Sequence, residues 1–433
     1  MSTFWVLVNH ALYLSKAGPD GRLNGSIVTD LMIVNSGLIA LSFRQTNIFW
    51  VAIFPGGLEV LRALEAESRG AKKDATKGAT FREILLRSWR TCEVYEAPAG
   101  EAYVEDYIKT AISLLIAALA NPVTVVRTLI PYLLLLGSFA AFVVGNGGVV
   151  LGDKSNHVAT LHLAQMLYIW PCFVFFFPSM LLPGVLEPLV PLGRVSSFIR
   201  LAKINNFPRI AVITMVSAIT LLIVHFNTII HPFTLADNRH YVFYVFRWTI
   251  LRHPMIKYLL TPIYLLSGWA VLRATSGKKS GHDDPRAPAL PRPAAPPKSE
   301  CGTTTTSLVM VWLASTALSL ISAPLVEPRY YIMPLITWRL YLLPSETVME
   351  ADQHQESRKD TKGSVSSGKQ SQQPRRQKAS QPSSWIKLLE RHNARLWLES
   401  LWFLAINMVT GYVFLYNGFA WPQEPGKVQR FMW

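Results

Sequence analysis

The chain has 433 residues, 50% of them hydrophobic and only 16% charged, with a mean hydropathy of +0.25; that is too apolar for an ordinary soluble protein. Its net charge of +15 lies largely in a few loops between apolar runs, the pattern of topology control and anionic-lipid contact, and this argues against a nucleic-acid partner. Three cysteines, Cys92, Cys172 and Cys301, without CxxC or metal-ligand spacing, give neither a disulfide framework nor a zinc site.

Residues 4–14 are hydrophobic but too short to cross a bilayer, which takes about 20 apolar residues. They lack the charged flank and cleavage site of a signal peptide, and read as the second half of a transmembrane helix whose first half is missing. Residues 27–43 form the next apolar run and end at the polar break Arg44-Gln-Thr-Asn47. The pattern resumes over 48–61, interrupted by Pro55-Gly-Gly57, which a packed bundle tolerates. Residues 62–109 carry mixed charge and read as a loop, and 111–120 as an interfacial or re-entrant segment ended by Asn121-Pro122. Spans are expected over 128–150 and 161–182, the latter kinked by Pro171 and Pro178. A basic loop then leads to a pair of spans over 207–230 and 255–272. Residues 273–306 and 345–395, rich in Pro, Ser, Gln, Lys and Arg, read as disordered inserts. Between them, 307–344 is expected to be transmembrane, and 396–433 to hold the last span and a tail.

Charge orients this series. With 62–109 cytoplasmic and 111–120 not crossing, alternation puts the basic loops on the same side, as the positive-inside bias requires. The compact polar clusters then share the opposite face: Arg44–Asn47, Gly152–His157, His231–Tyr241 and Glu327–Tyr331. The sequon Asn24-Gly-Ser26 falls on the cytoplasmic side and is expected to carry no glycan.

These clusters are where chemistry is expected. In Asp237-Asn-Arg-His-Tyr241 a carboxylate lies two residues from a guanidinium that either binds phosphate in a bidentate fork or anchors the carboxylate. The bland alternative is a salt-bridged connecting loop, but ionisable clusters at membrane depth are costly and usually purposeful. Arg44 can pair with phosphate, whereas Asn47 can simply cap the following helix. Asp153, Lys154 and His157 make a second mixed cluster after Gly145-Asn-Gly-Gly148, which follows an apolar helix rather than a strand and is no nucleotide loop. The bland reading of Glu327 and Arg329 is that they neutralise one another. His10, His225 and His253 read as packed or exposed rather than catalytic.

Five motifs, in order, resemble one family. They are Arg44-Gln-Thr-Asn-Ile48, Asn146-Gly-Gly-Val-Val150 running on to Gly152-Asp-Lys-Ser-Asn-His157, Leu235-Ala-Asp-Asn-Arg-His-Tyr241, Pro328-Arg-Tyr-Tyr-Ile332-Met-Pro334, and Arg430-Phe-Met-Trp433. The family is the dolichyl-phosphate-glucose-dependent α-1,2-glucosyltransferases of the endoplasmic reticulum. The resemblance implies an all-α, polytopic GT-C-type glycosyltransferase of about nine transmembrane helices plus a truncated first one, with its active face lumenal. It implies two partners in the lipid bilayer, dolichyl-phosphate glucose as donor and a dolichol-linked oligosaccharide as acceptor. No cofactor or metal is called for, because arginine and histidine can serve the phosphate electrostatically. Expected substrate-binding residues are Arg44, Gln45, Asn47, Asp153, Lys154, His157, Asp237, Asn238, Arg239, His240, Tyr241 and Arg329. The catalytic base is expected in a first lumenal loop to which nothing here corresponds; a chain truly lacking it would be inactive alone. The alternatives are a non-catalytic membrane scaffold and a secondary transporter, although no internal symmetry supports the latter.

Overall fold

A computed structural model describes residues 1–16, 26–68, 80–100, 102–151, 160–186, 210–236, 240–275, 304–323, 325–342, 394–420 and 425–430. The architecture is helical. Helix α1 (Ser2–Ser15) packs against α2 (Ile27–Phe43), which starts where the Ser26 hydroxyl accepts a hydrogen bond from the Val28 amide and stops where Arg44 turns extended. A short 3₁₀ turn (Gln45–Asn47) and a π-helical segment (Phe49–Ile53) then feed α3 (Phe54–Ser68). Together 45–68 is one of three helical stretches among the described residues that are long and apolar enough to cross a membrane; the others are α6 (Pro122–Asn146) and a late helix, Leu396–Tyr416. Shorter apolar helices include α2, α7 (Gln165–Phe176), α9 (Ile210–Phe226) and α14 (Thr306–Ile321). At 1.5 Å per residue, a 17-residue helix such as α2 spans about 25 Å, just under the hydrocarbon thickness.

Hydrogen bonds fix which end of the bundle each helix reaches. Ser2, opening α1, accepts from Asn47 Nδ2 at 2.8 Å, while Lys16, closing it, pairs with Asp30 near the start of α2 at 2.8 Å. These contacts define an Arg44 end and a Lys16 end. The Arg44 end also collects the close of α14 and the approach to α7, joined by His162 N to Ile321 O at 2.9 Å. The close of α9 reaches the same end, where Asn227 Nδ2 bonds Leu161 O at 2.8 Å. Ala323 and the segment 325–331 lie there too, with Gln165 Nε2 on Ala323 O at 2.5 Å. At the Lys16 end, residues 97–99 are stitched to the start of α14 by Ala99 N to Thr304 O at 2.8 Å and Thr306 N to Ala97 O at 3.0 Å.

The core is aromatic and runs between these ends. Trp312 and Trp338 are fully buried, and each ring nitrogen has a partner, Pro334 O and Thr275 Oγ1, both at 3.0 Å; a buried indole needs such a partner. Helices α3 and α14 approach closely at Gly57, where a Cβ would stand 2.8 Å from Val311 Cγ1.

Several expected boundaries move. Residues 62–68 continue α3, where Leu64 is buried and Arg62 lies 4.4 Å over the Tyr13 ring inside the bundle. The rest of the mixed-charge stretch holds α4 (Phe81–Thr91) and the first turns of α5 (Val104–Ala120), where Asp106 accepts from the Tyr103 amide at 2.8 Å. Pro171 stays inside α7, whereas the segment breaks at Phe177 before α8 (Pro178–Leu186), because proline lacks an amide proton and crowds the preceding turn. Helix α13 (Thr261–Thr275) and the Thr304–Thr306 stitching take residues from both edges of the first insert. The long last helix, α16 (Ala394–Tyr416), likewise starts inside the second. The tail forms a two-stranded antiparallel pair, β1 (Gly418–Ala420) and β2 (Val428–Arg430).

Candidate active site

The site at the Arg44 end is built from two breaks in helical structure. The first follows α2, whose last carbonyls lack intrahelical partners. Beside them, Asn47 Nδ2 bonds Ala40 O at 2.7 Å, a carbonyl that also accepts from the Arg44 amide at 3.2 Å. Asn47 is therefore buried as a closure for the preceding helix and a tie to Ser2, not the cap of the following helix that the sequence suggested; the π segment begins at Phe49 with no side-chain cap. A π segment shifts the register of the helix it interrupts, and here it carries Trp50.

The second break is Glu327-Pro-Arg-Tyr330, a 3₁₀ turn (Pro328–Tyr330) with proline at its start. Arg329 grips Glu327 with both arms of its fork, Nε to Oε2 and Nη2 to Oε1, the latter at 2.6 Å. Arg44 reaches the same carboxylate from the other break, Nη2 to Oε2 at 3.8 Å. Its Nη1 donates to the Arg329 carbonyl at 3.2 Å, and its guanidinium carbon lies 4.6 Å from the Tyr330 ring centre. Two guanidiniums thus share one carboxylate, leaving a net charge of +1 (two minus one). Burial pushes the Arg44 pKa down, but a guanidinium stays charged. The hydrogen bonds to Glu327 hold Arg329 up, and burial raises the Tyr330 phenol.

Arg44, Thr46, Asn47, Trp50, Tyr330 and Met333, with Ser319 and Arg329, line a small cleft of about 250 Å³ open to the outside. Most of that space is open solvent, so this is a shallow notch at the surface and not an enclosed pocket of the about 300–1,000 Å³ that holds a drug-sized ligand. Arg329 is 63% exposed and Arg44 24%, so the first is open to solvent while the second is partly enclosed.

Of the residues singled out from sequence, Arg44, Asn47 and Arg329 meet at this cleft, and Gln45 lies in the same turn, its carbonyl accepting from Ile48 N. His240 precedes and Tyr241 opens helix α11 (Tyr241–Trp248); neither lines the cleft. Asp153, Lys154, His157, Asp237, Asn238 and Arg239 lie outside the described residues. Sequence reading missed Tyr330 and Trp50, the aromatic walls. It also missed a buried polar group nearer the Lys16 end. There Lys16 bonds Glu59, whose other oxygen accepts from Tyr132 OH at 2.5 Å. The available signal was a lone carboxylate, Glu59, inside a span, which is costly unless paired.

Fold and site together define an α-helical membrane-type protein with a small cationic cleft at one end of its bundle. Comparison of sequences takes the identification further. The chain belongs to the DIE2/ALG10 family, whose model matches residues 1–340. A relative from Aspergillus fumigatus is 39% identical over 94% of this chain and 71% of its own length. One from Emericella nidulans is 37% identical over 95% of this chain and 72% of its own length, and a mouse relative is 28% identical over 92% and 62%. All three are named Dol-P-Glc:Glc(2)Man(9)GlcNAc(2)-PP-Dol alpha-1,2-glucosyltransferase. No solved structure matches.

Proposed function

We propose that this chain is an α-1,2-glucosyltransferase that moves glucose from dolichyl-phosphate glucose to the diglucosylated dolichol-linked oligosaccharide of protein N-glycosylation. The observation that carries the reading is 39% identity across 94% of the chain with an enzyme of that name. The cleft supplies its physical counterpart. The bundle is of GT-C type with about nine spans, sits in the endoplasmic reticulum membrane, and turns its Arg44 end to the lumen. Clustering of polar breaks at that end supports this orientation, as does the basic bias of the opposite loops.

In the reaction the donor is a phosphodiester of charge −1 and the departing dolichyl phosphate gains a second negative charge. Only groups that hold the phosphate more tightly as that charge grows accelerate the step. Arg44 is the prepositioned one, fixed by Glu327, the Arg329 carbonyl and the Tyr330 ring. Arg329 exchanges a carboxylate for a phosphate oxygen when substrate arrives. Half-buried Tyr330 can meet the sugar with the part of its ring that Arg44 leaves open, and the buried Trp50 supports the wall. The acceptor 2-hydroxyl attacks from the opposite side, inverting the anomeric centre, and loses its proton to a carboxylate base. We assign Arg44 and Arg329 to the phosphate and neither to the base.

The test is to express the full-length gene product in cells lacking this activity and supply microsomes with donor and diglucosylated acceptor. The product is expected to gain one hexose, removable by an α-1,2-specific glucosidase. A membrane fraction containing the protein that adds no hexose overturns the assignment.

A further inference from the structure

The feature least accounted for by sugar transfer is α4. Its inner side is set by Ile84 and Ser88, both buried, with Ser88 Oγ donating to Ile84 O and Glu93 O at 2.9 Å. Its outer side carries Phe81, Leu86 and Trp89, exposed by 45%, 44% and 59%. At 100° per residue, Phe81, Leu85, Trp89 and Leu86 fall within one arc of about 140°, with Arg82 inside that arc and Arg90 at its edge. Three arginines, Arg82, Arg87 and Arg90, face one acid, Glu83, leaving the helix at +2. A Thr80–Glu83 capping box starts it and a left-handed Cys92 ends it, so it is a defined helix.

Its neighbours locate it. Cys92 Sγ accepts from Asn121 Nδ2, immediately before α6, and Thr124 in the first turn of α6 bonds Glu67 at the close of α3, at 3.3 Å. Two of the three stretches long enough to cross a membrane thus end beside α4. A helix at the mouth of two spans, with an exposed apolar arc that includes Arg82, is flanked by Arg90 and has Arg87 on the side away from it, has the makeup of an interfacial helix.

We propose that α4 lies in the membrane surface at the Lys16 end and binds anionic phospholipid, its apolar arc among the acyl chains and its arginines on the headgroups. This rests on the chain being a membrane protein and not on its sugar chemistry. Charge complementarity selects the anionic lipid, since a polybasic segment gains affinity from each such headgroup.

The test uses the full chain in nanodiscs, with brominated phosphatidylserine or brominated phosphatidylcholine as quencher. Subtracting the emission of Trp89→Phe isolates one of the 13 tryptophans. Trp89 is expected to be quenched by both lipids and about twofold or more strongly by the anionic one, with high salt erasing the difference as surface charges are screened. The triple variant Arg82→Gln, Arg87→Gln, Arg90→Gln is expected to lose the preference and keep the quenching. Quenching of Trp89 by neither lipid means that protein covers this face and overturns the proposal. Equal quenching by both in the wild type, insensitive to salt, removes the anionic lipid. The wild-type measurements decide even if the triple variant fails to fold.

Discussion

Replacing Arg44 by alanine removes the one cation in the cleft that is fixed on three sides. The Glu327 oxygen stands 3.8 Å from Arg44 Nη2, and a phosphate oxygen taking that place would be equally near. At about 4 Å and an effective dielectric near 20, one unit of charge on that oxygen is worth about 4 kcal/mol. Since the phosphate gains close to one unit on leaving, up to that amount is specific to the transition state. At 1.36 kcal/mol per tenfold the ceiling is about 10³ in rate, matching the ~10²–10³ seen when a single oxyanion donor is deleted elsewhere. Before substrate arrives Glu327 keeps Arg329 as its partner, so the free variant is not left with a bare carboxylate. The assay is hexose addition to diglucosylated acceptor in microsomes, normalised to protein level, with kcat and KM resolved for the donor. The loss should fall mainly on kcat, and Arg44→Lys, which keeps charge but not the fork, should recover part of it. Arg44→Ala turning over within about threefold of wild type at equal protein level would refute the reasoning.

Other outcomes follow from the rest of the structure. Lys16→Met should cost more stability than Glu59→Leu, because Lys16 retains Asp30 at 2.8 Å while Glu59 would retain only the Tyr132 hydroxyl. A stranded buried charge costs about 3–5 kcal/mol, and thermal melts in detergent should rank the two; the reverse order removes the network as described. Burial pushes the Glu96 carboxyl from 4.5 up to about 7, with Glu65 adding to it and hydrogen bonds from Ser307 and Thr305 opposing. A carboxyl raised on folding binds its proton more tightly in the folded state, so its contribution is present below about pH 4.5 and is lost as pH rises through 7. Melting temperature should fall between pH 5 and 8, and Glu96→Gln should flatten that slope. In the microsomal assay Arg239→Ala should cut turnover strongly at near-normal expression; unchanged turnover removes Arg239 from the site.

The fold was legible where local signals and burial agreed. Helix α2 occupies 27–43 as expected because a hydroxyl cap, an apolar run and a polar break coincide there. It was less legible where tertiary contact overrides composition. Arg62 reads as a loop residue until Tyr13 is seen beneath it, and α5 starts seven residues before the apolar run at 111 because Asp106 caps it. The site was half legible. Arg44 and Arg329 were flagged as separate polar islands, but their sharing of Glu327 spans 283 residues of sequence, from 44 to 327, and no pattern within either motif encodes it. Asn47 was misassigned because an amide beside two helices can close either, and only packing shows that it bonds Ala40 O. Lys16 and Glu59 escaped notice for a related reason: each is isolated within its own stretch, and they meet only when α1 packs on the segment leading into α3.

Direct photocapture tests most sharply whether the cleft between Arg44 and Arg329 holds the phosphate of a lipid-borne sugar. A photoreactive amino acid at Met333, on the cleft wall, should crosslink radiolabelled dolichyl-phosphate glucose in native membranes. Unlabelled donor should compete, and the same probe at Tyr341, beside His10 and away from the cleft, should capture little. Equal labelling at both positions, or labelling at Met333 that donor does not compete, would contradict the account.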